Sequence, residues 1–268
     1  MKPKVIVTRD IPDEVELKLK EYFQVSFNRE DKVFSNDILR KAMESADGIV
    51  CTVTDSITDE LLTLPNKKVK IIANIGVGVD HIDLQSAKEN NVIITNTPDV
   101  LTESTVDVAT LLLLSVTRNA FLVEKMLRQD EWKGFSLTEN LGVDVRGKIL
   151  GIVGMGRIGK AFAKRAHEVF GMKVLYYNRS PVKNLTFEAS VRFDLDALLE
   201  ESDVISLHLS SDEGNKNFIS KSRIKKIRSS SFLINTSRGD VIDQVGLIDL
   251  LEKKKLAGAG LDVFLNEP

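Results

Sequence analysis

The sequence is poor in cysteine, in net charge and in long apolar runs. Cys51 is the only cysteine among 268 residues, which excludes an internal disulfide and favours a reducing compartment. The 37 basic and 39 acidic residues nearly cancel, and this argues against a nucleic-acid-binding protein. No signal-peptide core is present at the start, and the most apolar helical run, residues 106–116, is too short to cross a bilayer. We expect a cytoplasmic protein without nucleic acid or membrane among its partners.

Apolar residues make up 43% of the chain, which is enough for a sizeable core and two domains. Short apolar runs alternate with segments of helical periodicity from Lys4 to Thr95, and Pro98 ends this first unit. A second series of the same kind follows. Alternating strands and helices predict parallel sheets covered by helices on both faces. We therefore predict an α/β protein with two doubly wound domains, residues 1–99 and 100–268.

The most informative stretch lies at residues 148–180. An apolar run ends at three glycines, Gly154, Gly156 and Gly159, and a segment with helical periodicity and a second apolar run follow. This order predicts the strand, glycine-rich turn, helix and strand of a dinucleotide-binding unit. The glycines allow a tight turn, close approach of a pyrophosphate and close packing of the helix on the sheet. The pyrophosphate would lie at the start of the helix, at Arg157 and Ile158.

The end of the second strand of such a unit meets the adenosine ribose, where an acidic residue favours NAD. This sequence instead has Asn178, followed by Arg179 and Ser180. A neutral residue does not repel a 2′-phosphate, and the arginine could pair with it. We expect NADP to be preferred, while NAD stays open.

Two further segments carry candidate chemistry. An apolar run at residues 231–236 leads to Arg238, whose guanidinium suits a two-oxygen anion such as a 2-oxo acid. Another run ends before Asp262 and Glu267. A carboxylate close to a histidine raises the pKa of the histidine and selects its tautomer.

The whole chain resembles the D-isomer-specific 2-hydroxyacid dehydrogenases. The matching segments cover both predicted domains in the same order: GVGVDHIDL (76–84), NTPDVLTESTVDVATLLLL (96–114), GKILGIVGMGRIGK (147–160), DVISLHLS (203–210), LINTSRGDVID (233–243) and GAGLDVFLNEP (258–268). The resemblance implies a flavodoxin-like substrate domain followed by a Rossmann domain that binds NAD(P).

The resemblance also implies roles for individual residues. Arg238 would bind the carboxylate and carbonyl oxygen of the substrate, and Glu267 would be the acid partner of the catalytic histidine. Val77 and Gly78 would offer backbone N–H groups to the substrate carboxylate. Cofactor contacts would come from the glycine-rich unit and from four residues elsewhere: Thr105, His208, Thr236 and Asp262. No metal site is predicted.

The sequence departs from the family in two places. The general-acid histidine of the family belongs to a segment after Glu267, and none of His81, His167 and His208 replaces it. The Rossmann domain is therefore expected to lack its C-terminal end in this sequence. We favour the explanation that the sequence was recorded only to its ordered or sequenced end; the alternative is a genuine truncation, which would bind cofactor without turnover. In addition, Ser210-Ser211-Asp212 differs from the residues usual after His208.

These observations predict an NAD(P)H-dependent reductase of small 2-oxo acids, with glyoxylate or hydroxypyruvate as the leading substrates. One alternative is a D-3-phosphoglycerate dehydrogenase, although the loops of the first domain lack a basic cluster for a phosphate. Another is a cofactor-sensing protein like the C-terminal-binding-protein corepressors, which keep the same arginine and glutamate. A long apolar helix predicted at Thr102–Arg128 would form a homodimer.

Overall fold

The computed structural model describes residues 1–210 and 214–267. The chain divides into two compact units, unit 1 (Met1–Leu101) and unit 2 (Thr102–Pro268). Ser211 and Asp212, which depart from the family pattern, lie outside the described residues.

Unit 1 is built around a five-stranded parallel sheet. Its elements follow in the order β1 (Lys4–Val7), α1 (Asp13–Tyr22), β2 (Gln24–Phe27), α2 (Asn36–Ser45), β3 (Gly48–Thr52), α3 (Asp59–Leu62), β4 (Ile71–Ile75), α4 (Leu84–Glu89) and β5 (Ile93–Thr95). The strand order is β2-β1-β3-β4-β5 and every neighbouring pair is parallel. This is the flavodoxin-like order, in which the chain changes direction between β1 and β3.

The core of unit 1 lies between the sheet and α2, α3 and α4. Leu39 and Met43 of α2 are fully buried against Ile49 and Ile72 of the sheet. Helix α2 begins where the Ser35 hydroxyl accepts a hydrogen bond from the Ile38 backbone N–H. Such a cap supplies an acceptor to one of the N–H groups that the first helical turn leaves without one.

Unit 2 has a six-stranded parallel sheet with helices on both faces. Its helices are α5 (Thr102–Thr117), α6 (Ala120–Arg128), α7 (Arg157–Phe170), α8 (Leu195–Glu201), α9 (Lys221–Ile224) and α10 (Gln244–Glu252). Its strands are β6 (Ile149–Val153), β7 (Lys173–Tyr177), β8 (Ala189–Val191), β9 (Val204–Leu207), β10 (Phe232–Asn235) and β11 (Gly258–Leu261). A 3₁₀ turn at Gly239–Val241 follows β10. The order β11-β10-β9-β6-β7-β8 is that of the Rossmann fold.

The two faces of this sheet carry separate cores. On one face, Val106 and Leu113 of α5 and Phe162 of α7 pack against β6 and β10. On the other, Leu198, Ile224 and Leu247 of α8, α9 and α10 form the second cluster. Strands β9 and β10 are buried at every position, as expected for central parallel strands covered on both sides. The predicted α/β fold with two doubly wound parallel sheets is confirmed.

The prediction of one long helix at Thr102–Arg128 is wrong, because the segment forms two helices. Helix α5 ends at Thr117 and α6 begins at Ala120, and the two axes meet at 66°. Asn119 has φ 56° and ψ 28°, a left-handed conformation that interrupts a right-handed helix. Asparagine adopts this conformation more readily than most residues because its short amide can bond locally. Here the amide donates to the Leu141 carbonyl oxygen at 3.0 Å.

Candidate active site

The glycine-rich turn connects β6 to α7 at the carboxyl edge of the unit 2 sheet. Gly154 has φ +97°, and a Cβ atom there would lie 2.4 Å from the His208 carbonyl oxygen. A Cβ atom at Gly159 would lie 2.2 Å from the Gly154 carbonyl oxygen, so any side chain would push α7 off the sheet. Gly156 is different, because no atom lies within 4 Å of its Cβ position. The turn therefore needs two glycines for its own geometry and keeps open space beside the third.

A cleft of about 360 Å³ opens beside this turn. It brings together residues from the ends of β6, β7 and β9: Gly154, Gly156, Tyr177, Asn178, Arg179, His208, Leu209, Ser210, Gly214, Asn215 and Phe218. Five of these, namely Gly154, Gly156, Asn178, Arg179 and His208, are residues that the sequence pointed to. Helix α7 begins at the cleft with Gly156 as its N-cap, which has no side chain to cap the helix. Backbone N–H groups at such a helix start attract an anion.

Asn178 connects the glycine-rich turn to the end of β7. Its Oδ1 accepts from the Met155 backbone N–H at 3.3 Å, and its Nδ2 donates to the Ser180 carbonyl oxygen at 2.9 Å. The side chain of Asn178 therefore holds the loop that carries Arg179 against the turn. Arg179 is exposed and lines the cleft.

His208 closes the inner side of the cleft. Its Nε2 lies 2.9 Å from the Ser206 hydroxyl, and its ring packs against Phe162 with centroids 5.7 Å apart. Burial lowers the pKa of His208 to about 4, because desolvation disfavours the imidazolium. The imidazole beside the glycine-rich turn is therefore neutral at physiological pH.

Other predicted cofactor residues lie outside this cleft. Thr105 is in the first turn of α5, Arg157 and Ile158 begin α7, and Ser180 follows β7 on the surface. Asp262 is exposed just after β11, and its backbone N–H donates to the Asn235 carbonyl oxygen at 3.0 Å. Thr236 follows β10, and its buried hydroxyl has no hydrogen-bond partner among the described residues. The role of Thr236 as a cofactor contact stays a prediction.

Arg238 lies in a turn that a buried asparagine organises. Asn235 Nδ2 donates to the Arg238 carbonyl oxygen at 2.8 Å, while Asn235 Oδ1 accepts from the backbone N–H and hydroxyl of Ser237 at 3.0 and 2.8 Å. The Arg238 guanidinium Nη1 donates to the Ser237 carbonyl oxygen at 2.8 Å. Both the oxygen and the nitrogen of the Asn235 amide therefore hold the turn after β10. The bond to Ser237 fixes the position of the Arg238 guanidinium.

Glu267 lies close to the end of β11. Its Oε1 accepts a hydrogen bond from the Phe264 backbone N–H, and the neighbouring Leu265 N–H donates to Gln244 Oε1 at 2.7 Å. The histidines have other contacts. His167 Nδ1 pairs with the Met172 carbonyl oxygen at 3.1 Å, and His81 belongs to unit 1. The role of Glu267 as the partner of a catalytic histidine stays a prediction.

The predicted substrate residues of unit 1, Val77 and Gly78, lie in the loop after β4. Neither backbone N–H has an acceptor within residues 1–210 and 214–267. Backbone N–H groups without acceptors attract an anion. The role of Val77 and Gly78 in binding the substrate carboxylate stays a prediction.

Sequence reasoning missed three kinds of residue. Tyr177 and Phe218 form a ring pair on the wall of the cleft, with centroids 5.9 Å apart. Asn215 is buried beside it and donates to the Ser210 carbonyl oxygen at 2.9 Å. Asn74 and Asn235 hold the loops that follow β4 and β10 through side-chain hydrogen bonds. For Tyr177, Asn74 and Asn235 the available signal was position, since they lie at the carboxyl ends of strands, where α/β sheets bind ligands. Asn215 and Phe218 lie farther along the loop after β9 and had no such signal.

The cleft fits a dinucleotide on the features of this chain. The open side of Gly156 admits a pyrophosphate, the uncapped start of α7 favours its charge, and Arg179 lies beside the end of β7. Among the described residues, no group of three or more His, Cys, Asp or Glu side chains is arranged to hold a metal ion. No single described helix is long and apolar enough to cross a membrane; α5 and α6 together meet the length and composition criteria only as a bent pair.

Comparison with known proteins agrees with this geometry. Residues 110–268 match the family profile of the D-isomer specific 2-hydroxyacid dehydrogenase, NAD binding domain. Glyoxylate reductase from Thermococcus litoralis is 40% identical over 273 residues, covering 100% of this chain and 82% of the relative. The chain belongs to the D-isomer-specific 2-hydroxyacid dehydrogenase family.

Solved structures of this family agree in fold over the whole chain. A glyoxylate reductase from Paecilomyes thermophila has a TM-score of 0.87 at 31% identity, covering 100% of this chain and 83% of its own. The NADPH-dependent glyoxylate/hydroxypyruvate reductase from Sinorhizobium meliloti, solved with NADP and malonate, has a TM-score of 0.84 at 31% identity, covering 100% and 81%. This D-2-hydroxyacid dehydrogenase is therefore an oxidoreductase that uses a nicotinamide cofactor to reduce 2-oxo acids.

Proposed function

We propose that this dehydrogenase reduces glyoxylate or hydroxypyruvate and prefers NADPH. The proposal is supported by two loops, each taken within its own unit: the loop after β4 carries the N–H groups of Val77 and Gly78, and the turn after β10 carries the guanidinium of Arg238. The names of the Thermococcus litoralis and Sinorhizobium meliloti relatives support the same substrates. Unit 1 would serve as the substrate domain and unit 2 as the cofactor domain.

A small substrate without phosphate agrees with the charges around the unit 1 loops. Residues 53–58 and 76–83, which follow β3 and β4, contain no lysine or arginine. Arg9 follows β1 at the same edge, but its guanidinium bonds Asp31 through Nε at 2.8 Å and Nη2 at 3.2 Å. Asp31 offsets the charge of Arg9 and occupies two of its donors, which makes Arg9 less suited to bind a phosphate group. These features favour a 2-oxo acid over a phosphorylated one.

The bound cofactor would supply the hydride. Arg238 would hold the substrate carboxylate and stabilise negative charge that develops on the carbonyl oxygen. In unit 1, the N–H groups of Val77 and Gly78 would bind a substrate carboxylate. Thr236 and Asp262 would contact the nicotinamide end of the cofactor, and Thr105 its phosphates. Glu267 would keep the general-acid histidine protonated, which in the family belongs to the segment after this glutamate.

The preference for NADPH rests on the loop after β7. Asn178 uses its amide to hold the loop, and no carboxylate of residues 178–180 is present to repel a 2′-phosphate. Arg179 lies exposed on the wall of the cleft, where its fork of donors suits a phosphate. NADPH should therefore give the higher kcat/KM.

Assembly as a homodimer is supported by the apolar surface of α6 and the segment after it. No residue of α6 is buried within the chain. The exposed apolar side chains include Phe121, Leu122, Leu127, Trp132, Phe135 and Leu137. Exposed apolar surface on this scale marks an interaction site. A two-fold dimer would cover it, and light scattering at micromolar concentration checks this, with a monomer as the contradicting result.

The proposed reaction is tested by one panel of 2-oxo acids. The purified full-length protein is assayed with glyoxylate, hydroxypyruvate, pyruvate and 3-phosphohydroxypyruvate, each with NADPH and with NADH. We expect glyoxylate or hydroxypyruvate with NADPH to give the highest kcat/KM. A higher value for 3-phosphohydroxypyruvate would contradict the proposed substrate class. A cytoplasmic location stays a prediction, which fractionation of cells checks.

A further inference from the structure

The loop after β4 is held by side-chain amides at three consecutive carbonyl groups. Asn74 Nδ2 donates to the Gly76 carbonyl oxygen at 3.2 Å and to the Gly78 carbonyl oxygen at 2.8 Å. Asn96 Nδ2 donates to the carbonyl oxygen of the residue between them, Val77, at 2.9 Å. The loop therefore has its acceptors occupied by two asparagines from two different strand ends, those of β4 and β5.

These bonds set the directions of the N–H groups. In a trans peptide, the carbonyl of one residue and the N–H of the next lie in one plane and point in opposite directions. The bond from Asn74 to the Gly76 carbonyl thus turns the Val77 N–H away from Asn74. The bond from Asn96 to the Val77 carbonyl likewise sets the direction of the Gly78 N–H.

The orientation of the Asn74 amide follows from chemistry. Both groups on its Nδ2 side are carbonyl oxygens, which only accept, so the amide nitrogen must be there. Its Oδ1 then faces His81 Nε2 at 3.1 Å, and His81 must carry a proton on Nε2 to donate. Asn74 is 2% exposed. Burial and the contact with His81 together leave the amide one orientation.

We propose that Asn74 and Asn96 are positioning residues that aim the N–H groups of Val77 and Gly78 at the substrate carboxylate, and that His81 locks the amide of Asn74. This inference rests on the proposed function, because it concerns how the same site recognises a 2-oxo acid. Unit 1 offers neutral donors to the carboxylate, so the strength of these hydrogen bonds depends strongly on the direction of each N–H group. A loop without these hydrogen bonds would keep the same N–H groups but in variable directions, and would bind the carboxylate weakly.

The test measures ligand binding separately from turnover. The NADPH-loaded protein is titrated with oxamate, which resembles a small 2-oxo acid, by isothermal calorimetry. We expect Asn96→Ala to raise the Kd of oxamate about 5- to 20-fold, and Asn74→Ala to raise it more, because each lost hydrogen bond frees a peptide group. The Kd of NADPH should stay within about twofold, since unit 2 is unchanged.

Asn90→Ala is the matched control. Asn90 Nδ2 donates to the Ser86 carbonyl oxygen at 2.9 Å at the end of α4, so the variant loses the same kind of bond outside the ligand loop. It should bind oxamate like the wild type. For His81, the variant His81→Gln keeps an N–H donor and should bind oxamate more tightly than His81→Leu.

Turnover supplies a second readout. Groups that bind the carboxylate equally in the ground and transition states change KM and leave kcat alone. The KM for glyoxylate should therefore rise in Asn96→Ala, with kcat changed much less. A structural role alone would lower the melting temperature and leave KM as it was.

The possible outcomes separate this inference from the proposed function. If the wild type neither binds oxamate nor reduces any 2-oxo acid, the proposed function fails and the inference fails with it. If the wild type binds oxamate and the two asparagine variants bind it equally well, only the inference is wrong. Asn96 is exposed, so Asn96→Ala should fold and decides the matter even if Asn74→Ala does not.

Discussion

Asn74 in unit 1 and Asn235 in unit 2 occupy similar places in their sheets. Asn74 is the next-to-last residue of β4, Asn235 is the last residue of β10, and both are buried. Each bonds the loop that follows, Asn74 through its amide nitrogen and Asn235 through both ends of its amide. The two loops differ in what they offer. The loop of unit 1 has backbone N–H groups, whereas the loop of unit 2 has the guanidinium of Arg238.

This difference distinguishes two ways in which a loop can bind a carboxylate. A guanidinium attracts an anion from several ångströms and tolerates small displacements, because charge falls off slowly with distance. An N–H group contributes only when its direction is right. We therefore expect loss of charge in unit 2 to have the larger effect, and loss of aim in unit 1 to have a smaller, purely geometric one.

Removal of the charge should give the largest effect. Arg238→Ala should lower kcat/KM for glyoxylate by about a thousandfold, or about 4 kcal/mol, because the arginine binds the substrate and stabilises developing charge. Arg238→Lys keeps the positive charge but loses the bidentate geometry, so its kcat/KM should lie between those of the wild type and Arg238→Ala. Arg228→Ala, which loses bonds to Glu201 and Asp203, is the control. An effect of Arg238→Ala no larger than that of Asn96→Ala would break the comparison.

Two glycines of the glycine-rich turn should separate effects on stability from effects on cofactor binding within unit 2. Gly154→Ala should lower the free energy of unfolding by about 3 kcal/mol, because the new Cβ would meet the His208 carbonyl oxygen at a positive φ. Gly156→Ala should leave stability unchanged and weaken NADPH roughly tenfold, since its Cβ enters open space. Thermal unfolding and NADPH fluorescence measure the two quantities. Equal effects of the two variants on stability would contradict this account.

Acid should distinguish the two units. Burial lowers the pKa of His208 to about 4, compared with 6.5 for an ordinary histidine. The stability that the neutral ring contributes is therefore complete above pH 6.5 and is lost as the pH falls from 6.5 towards 4. In unit 1, the hydrogen bond from Arg9 lowers the pKa of Asp31 to about 2. The stability contributed by this ion pair is therefore lost only as the pH falls below 3.8. Unit 2 should weaken first.

Urea unfolding measures this difference. Between neutral pH and about pH 4.5, His208 should account for a loss of about 2 kcal/mol, reduced from the full shift because the ring lines a cleft. The variant His208→Gln should lose that part of the pH dependence. An identical pH dependence in the variant and the wild type would exclude His208 as the cause.

The smallest effect should come from the edge of the cofactor cleft. Arg179→Ala should weaken NADPH about tenfold and NADH very little, because one exposed charge-assisted contact contributes about 1–2 kcal/mol. Binding titrations with both cofactors measure it, with Lys183→Ala, a change at another basic residue of the same loop region, as control. A wild-type preference for NADH of about tenfold or more would overturn the NADP assignment.

The fold could be predicted from local patterns. Apolar runs ending in Gly154, Arg238 or Gly76 identified the strands whose carboxyl ends carry the site, and both sheets are parallel as expected. Two elements escaped prediction. Strand β8 has three residues and no periodicity, and the break between α5 and α6 depends on the bond from Asn119 to Leu141, 22 residues away. Strand β8 has no local signal, and the only local signal for the break is Asn119 itself, a residue type that adopts the left-handed conformation readily.

The sequence by itself determined the family, the two sheets and the residue types at the strand ends, because these follow from periodicity, glycine spacing and motif order. Only the tertiary structure decided how those residues are aimed. Asn178 uses its amide to hold the glycine-rich turn, and Asn96 from β5 holds the loop after β4. The direction of a peptide group depends on which donor reaches its carbonyl, and that donor comes from another strand of the folded sheet.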